Sequence, residues 1–183
     1  NGNQASMLVL GGGALELKGK AGNTNSQRFS NNATNGFSLF VGSSAVRAVQ
    51  NGATSLSANL GQITMRNVGS TVDFTLPTTG TFTLQTSTLV AASTSGILLA
   101  NGAAFATVDG TDWAARNGTS IVGGSTLGPT FYTANSATTL ADNADMSGGL
   151  DTTLSAPATV TSLRFNDGTA RTIDETGQAL GTG

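Results

Sequence analysis

Cysteine and histidine are both absent from this 183-residue chain. Without cysteine there is no disulfide framework, no thiolate metal site and no thiol nucleophile. Without histidine the commonest general base is missing, and with it the Ser-His-Asp arrangement and zinc sites of ordinary composition. Charge is scarce as well, at 10% of residues against about 25% in soluble domains. The eight basic residues (Lys18, Lys20, Arg28, Arg47, Arg66, Arg116, Arg164 and Arg171) are scattered and the net charge is −2. Nucleic-acid binding, which needs grouped cations to neutralise phosphates, is therefore not expected. No run approaches the roughly 20 apolar residues of a membrane-spanning helix. Neither a signal peptide nor an initiator Met precedes Asn1, so the segment reads as a processed or excised piece.

What is present is 25 glycines, much Ser, Thr and Asn, and 38% hydrophobic residues. Such a composition invites disorder when too little apolar surface can be buried. Regularly recurring short alternations of apolar residues argue against that outcome. Val72, Phe74 and Leu76 alternate with Asp73 and Thr75, setting three apolar side chains on one face. Phe82 and Leu84 repeat the pattern, as do Leu56, Ala58 and Leu60, then Phe37, Leu39 and Val41, then Leu15 and Leu17. Ile63 with Met65, and Leu163 with Phe165, are shorter versions. Sustained 3.6-residue periodicity is missing, because Gly, Thr, Ser and Asn interrupt every stretch long enough to host a helix. The pattern predicts an all-β chain.

Turn chemistry separates these strands: Gly11-Gly12-Gly13, Asn35-Gly36, Asn51-Gly52, Asn101-Gly102, Asp109-Gly110, Asn117-Gly118 and Asp167-Gly168. Gly and Asn tolerate positive φ, so each pair marks a sharp change of direction. Two architectures satisfy this reading. Asn-Gly between apolar runs is a strong hairpin signal and suits an antiparallel β-sandwich. Stacked coils of short strands joined by tight turns give a β-solenoid instead. Very short strands, few aromatics and recurring small polar residues favour the solenoid.

The segment Gly11-Gly12-Gly13-Ala14-Leu15-Glu16-Leu17-Lys18-Gly19 resembles the Gly-Gly-Gly-x-Leu-x-Leu-x-Gly core of autotransporter-associated β-strand repeats. The runs Val72 to Pro77, Ala106 to Ala114 and Val160 to Asn166 are similar to further landmarks of that family, in the same order. These repeats belong to very large surface proteins of Gram-negative and related bacteria. The resemblance implies a right-handed parallel β-helix in an exported passenger region, located outside the cell or on its surface. It brings no catalytic residue set. Residues 1–183 are expected to form one solenoid segment, with a loop-rich insertion or distorted coils at 111–151, where strand patterning is weakest. The terminal segments lack polar capping character, so the ends are expected to pair with neighbouring copies or adjoining protein.

Only carboxylates remain for site chemistry. Asp109 and Asp112 flank Gly110, and Asp142, Asp145 and Asp151 gather near Gly148-Gly149. The latter three supply the candidate oxygens for calcium, although Asp142 to Asp145 reads more readily as a solvated loop. Asp-Gly pairs are ordinary turn formers. Trp113 and the pair Phe131-Tyr132 have the chemistry of a sugar platform, but partly buried packing aromatics explain them more simply. The sequons at Asn32 and Asn117 are taken as coincidence, and Thr81 with Thr83 does not repeat at a fixed length, as an ice-binding array requires. No catalytic, cofactor or metal residue is therefore expected. The leading expectation is an extracellular structural or surface-display protein that self-associates into a rod or filament. An adhesin for carbohydrate or a host surface is the alternative, and a polysaccharide lyase or hydrolase ranks below it.

Overall fold

A computed structural model describes residues 8–29, 36–88, 96–100 and 102–182. The described chain is all-β. It first passes three times through the same sequence of three strands. The first layer is β1 (Leu8–Leu10), β2 (Ala14–Lys18) and β3 (Thr24–Arg28); the second is β4 (Phe37–Leu39), β5 (Gly42–Val49) and β6 (Ser55–Asn59). The third is β7 (Ile63–Arg66), β8 (Ser70–Thr75) and β9 (Phe82–Gln85). Each strand pairs parallel with its counterpart one layer on: β1 to β4 to β7, β2 to β5 to β8, and β3 to β6 to β9. Residues 29–31 positions apart meet between the first two layers, as in Leu8 with Phe37 and Thr24 with Ser55. Between the next two the interval is 26–28, as in Phe37 with Ile63 and Ser44 with Val72.

The alternation read from the sequence points inward. Val46, Val72, Phe74, Leu56, Ala58, Leu60 and Leu84 share one core with Phe37 and Leu39, and all are buried. Fully burying a side chain of this size contributes about 1.5–3 kcal/mol, so Phe37 and Phe74, both wholly inaccessible, are anchors of the layer stack. Two assignments of facing are corrected. Val41 is 64% exposed, because β4 ends at Leu39 and the chain turns a corner at Gly42, whose φ is +126°. Phe165 is 57% exposed at the end of its strand. The Asn32 sequon, Asn35 and Asn101 lie outside the described residues.

After the third layer the pairing changes character. β10 (Leu99–Ala100) and β11 (Ala103–Ala104) form an antiparallel pair. β12 (Ala106–Val108) lies parallel to β8, then β13 (Asp112–Asn117) and β14 (Ser120–Gly123) follow as an antiparallel meander. β14 closes antiparallel onto β9 through Ser120 and Gln85. One curled nine-stranded sheet results, in the order β2-β5-β8-β12-β13-β14-β9-β6-β3. It is mixed, not uniformly parallel, and the meander bridges its two parallel limbs across one end of the core. Asp109-Gly110 makes the β12–β13 hairpin turn with both residues at positive φ (+52° and +65°), the conformation that suits a two-residue hairpin loop.

A 3-10 turn (Gly124–Leu127) leads into a second set of short strands: β15 (Thr133–Ala134), β16 (Asn143–Met146), β17 (Thr152–Thr153), β18 (Ala158–Val160), β19 (Ser162–Phe165), β20 (Ile173–Asp174) and β21 (Leu180–Thr182). Pairing is again parallel, β15 to β16 to β19, β17 to β20 and β18 to β21. Here partners lie only 19–22 positions apart, as in Asn143 with Ser162 and Ala158 with Leu180. Among the described residues no helix is long and apolar enough to cross a membrane.

Candidate functional site

The densest polar cluster forms where the meander meets the second strand set. Asp112 opens β13, and its Oδ1 accepts a hydrogen bond from the Tyr132 hydroxyl at 2.7 Å. Its Oδ2 accepts from the Ser125 hydroxyl at 2.6 Å and the Ser125 N–H at 3.0 Å, which ties the 3-10 turn to the hairpin. Arg164, on β19, reaches Asp112 Oδ1 at 3.4 Å and Asp145 Oδ2, on β16, at 2.8 Å. The guanidinium also lies 3.7 Å from the centroid of the Tyr132 ring, a cation–π contact in a partly desolvated setting. Phe131 packs edge-on against Tyr132 at 4.8 Å. The Trp113 indole N–H donates to the Leu163 carbonyl at 3.1 Å.

β16 explains why this cluster is held so firmly. All four of its residues are buried, so both its faces are covered. Ala144 and Met146 pair with Leu163 and Phe165, whereas Asn143 and Asp145 pair with Ser162 and Arg164. The second face is a polar ladder: the Ser162 hydroxyl donates to Asn143 Oδ1 at 2.9 Å, one step from the Asp145–Arg164 pair. Asp145 Oδ1 and Arg164 Nε are buried without a protein partner.

The electrostatics favour fixed charge states over proton exchange. Burial, reinforced by the hydrogen bond to Asp112, pushes the Tyr132 hydroxyl well above its ordinary value, so it stays protonated. Burial pulls Arg164 down, but the hydrogen bond and charge of Asp145, with Tyr132 and Asp112, outweigh it and hold the guanidinium above its usual value. A cleft of about 550 Å³ opens beside the cluster, lined by Val108, Asp109, Asp112, Val122, Arg164 and Asn166 among others.

The calcium candidates do not converge. Asp142 Oδ1 accepts from the Thr161 hydroxyl at 2.5 Å, Asp145 is engaged by Arg164, and Asp151 Oδ1 accepts from the Thr172 N–H at 2.8 Å. Each bond ties one layer to the next at a different place. Residues three apart on a strand face opposite sides, and Asp151 lies beyond a turn at Gly148 and Gly149, both at positive φ. Among the described residues no group of three or more acidic side chains is placed to hold a metal ion. Asp109 and Asp112 line the same cleft, but Asp112 spends both oxygens on Tyr132, Ser125 and Arg164.

Arg164 and Ser125 carry no signal in the sequence. Arg164 sits between two apolar residues and reads as a solvent-facing position, yet its side chain is only 19% exposed. Its partner Asp112 is 52 positions away. Comparison with family models, curated proteins and solved structures finds no match at any level that carries an argument.

Proposed function

We propose that this chain is an extracellular structural scaffold, a segment of right-handed parallel β-helix related to the autotransporter-associated repeats, which self-associates into or forms part of a larger rod. One observation carries the reading: the outermost strands of the parallel ladders, β1, β2 and β3, have no partner on their outer side among the described residues. An unpaired row of backbone donors and acceptors is a template for further strands. Right-handedness is the expected winding because parallel crossover connections take that hand almost without exception.

Composition supports the same role. Low charge leaves little repulsion between copies, and a chain free of thiols suits an oxidising exterior. The polar cluster reads as a joint that locks the second strand set onto the first, with its ionisable groups tied to one another. Catalysis has no part in the proposal. Negative-stain electron microscopy with analytical ultracentrifugation tests it: particle mass rises with concentration and assemblies are longer than a single chain. Monodisperse monomers at every concentration overturn the scaffold and favour the adhesin, with the 550 Å³ cleft as its first place to seek a bound sugar.

A further inference from the structure

Hydrogen bonding to the second layer fixes which backbone groups of the first layer face outward. The Gly19 N–H donates to Val49 O at 2.9 Å, and Gly13 O accepts from the Ala45 N–H at 2.8 Å. Odd-numbered residues from 13 to 19 thus turn towards β5, and Ala14, Glu16 and Lys18 present their N–H and C=O groups on the other side. β3 follows the same rule: Phe29 N–H bonds Asn59 O and Asn23 O accepts from Thr54, so Thr24 and Ser26 face out. At this edge Leu8, Leu10, Leu15 and Phe29 are only partly buried against the core. Edge and core end are open together.

The opposite end of the described chain does not match. Its last layer has strands of four, two and three residues (β19, β20, β21), against three, five and five in β1, β2 and β3. Layers there repeat every 19–22 positions, against 29–31 at the first layer. Head-to-tail stacking of copies would set a short winding on a long one, leaving core and backbone groups uncovered.

The first layer, however, complements itself. Glu16 and Lys18 are exposed and flank Leu17. A two-fold axis through Leu17 sets two β2 strands antiparallel, with Glu16 opposite Lys18 of the second copy and Lys18 opposite its Glu16. Both residues carry outward backbone groups, so these become the hydrogen-bonded pairs. Leu17 meets its own copy at the narrow, non-bonded position, where side chains approach most closely. The same rotation carries β1 over β3 of the second copy. Such an interface is isologous and closes on itself.

We infer that self-association occurs head to head: two copies pair through their first layers, β2 on β2, into a closed dimer. The inference rests on the self-association proposed above and adds its geometry. Sedimentation equilibrium of the full chain tests it, with Glu16→Lys, Lys18→Glu, the double exchange, and an equimolar mixture of the two single variants. Far-UV circular dichroism confirms folding; Lys18 lies opposite Val49, so its exchange brings no new clash within the chain. The wild type is expected to dimerise, and each single variant to weaken the dimer roughly tenfold or more. The double exchange and the mixture restore it, the mixture as a heterodimer. Assembly into open-ended fibres, or a dimer indifferent to these charges, overturns the geometry and leaves self-association standing. A wild type that stays monomeric overturns both.

Discussion

Gly36 shows how closely successive layers approach. A Cβ built there would lie 2.4 Å from Leu60 O and 2.6 Å from Gln62 O, so the residue is held by contact with the next layer. Gly36→Ala is expected to destabilise the fold by about 1–3 kcal/mol through forced backbone movement, read as a lower urea midpoint at unchanged slope. Gly13→Ala is the control, since nothing lies within 4 Å of its Cβ position, and it should be neutral or slightly stabilising. Arg164 is the second residue on which much depends. Arg164→Met leaves the Asp145 carboxylate, 10% exposed, without its cation, and a loss of roughly 3 kcal/mol is expected. Pairing it with Asp145→Asn should recover part of that loss in chemical denaturation. The sequence displays Gly36 as a turn marker and Arg164 as a surface residue. Both readings miss, because each role comes from a contact with another layer that local spacing does not encode.

Elements were more legible than their pairing. Strands at Val72–Phe74, Leu56–Ala58 and Leu15–Leu17 follow from two-residue alternation, since one buried face imposes that period whatever the neighbouring strand does. Turn dipeptides located the corners but not their kind. Asp109-Gly110 joins antiparallel β12 and β13, whereas Asn51-Gly52, also with both residues at positive φ, turns the corner from β5 to β6 between parallel ladders. There the Asn51 side-chain amide donates to Gly19 O at 2.8 Å, a bond to the preceding layer. The last strands have their own acid sensitivity. Arg171 donates to Asp167 at 2.9 Å and, with the Thr169 N–H, holds its carboxyl below the ordinary range. The Thr176 hydroxyl and N–H do the same for Asp174. A carboxylate lowered on folding stabilises fully above its unfolded pKa of about 3.9. That stabilisation is lost as pH falls through the lower folded value. Amide exchange around β20 and β21 is therefore expected to quicken below about pH 4, before the first strand set responds, and Asp167→Asn with Asp174→Asn should abolish the difference.

For the whole molecule, the composition made an all-β chain plain, and the described residues are all-β. What composition and spacing did not disclose is the change at the middle: parallel ladders of long interval, an antiparallel meander, then parallel ladders of short interval. Residues 111–151 looked poor in strands because β13 and β14 carry Asp112, Arg116 and Asn117 in place of aliphatic alternation, and because β15 and β17 are two residues long. The joint is built from Asp112, Ser125, Tyr132, Asp145 and Arg164, side chains spread over more than fifty positions. Distances of that kind are set by topology, so one sequence read alone does not contain them. The closed dimer and the larger rod belong to this scale, where the mismatch between the two ends decides which assemblies form.

The layer interval also governs how such a chain can change length over generations. Copying a stretch equal to one interval adds a storey about 4.8 Å tall and leaves every later side chain on its original side. Gaining or losing a single residue inside a strand as long as β5 (Gly42–Val49) instead exchanges inside for outside along the remainder of that strand. Viable lengths are thus quantised, and the corners are where small insertions accumulate without harm.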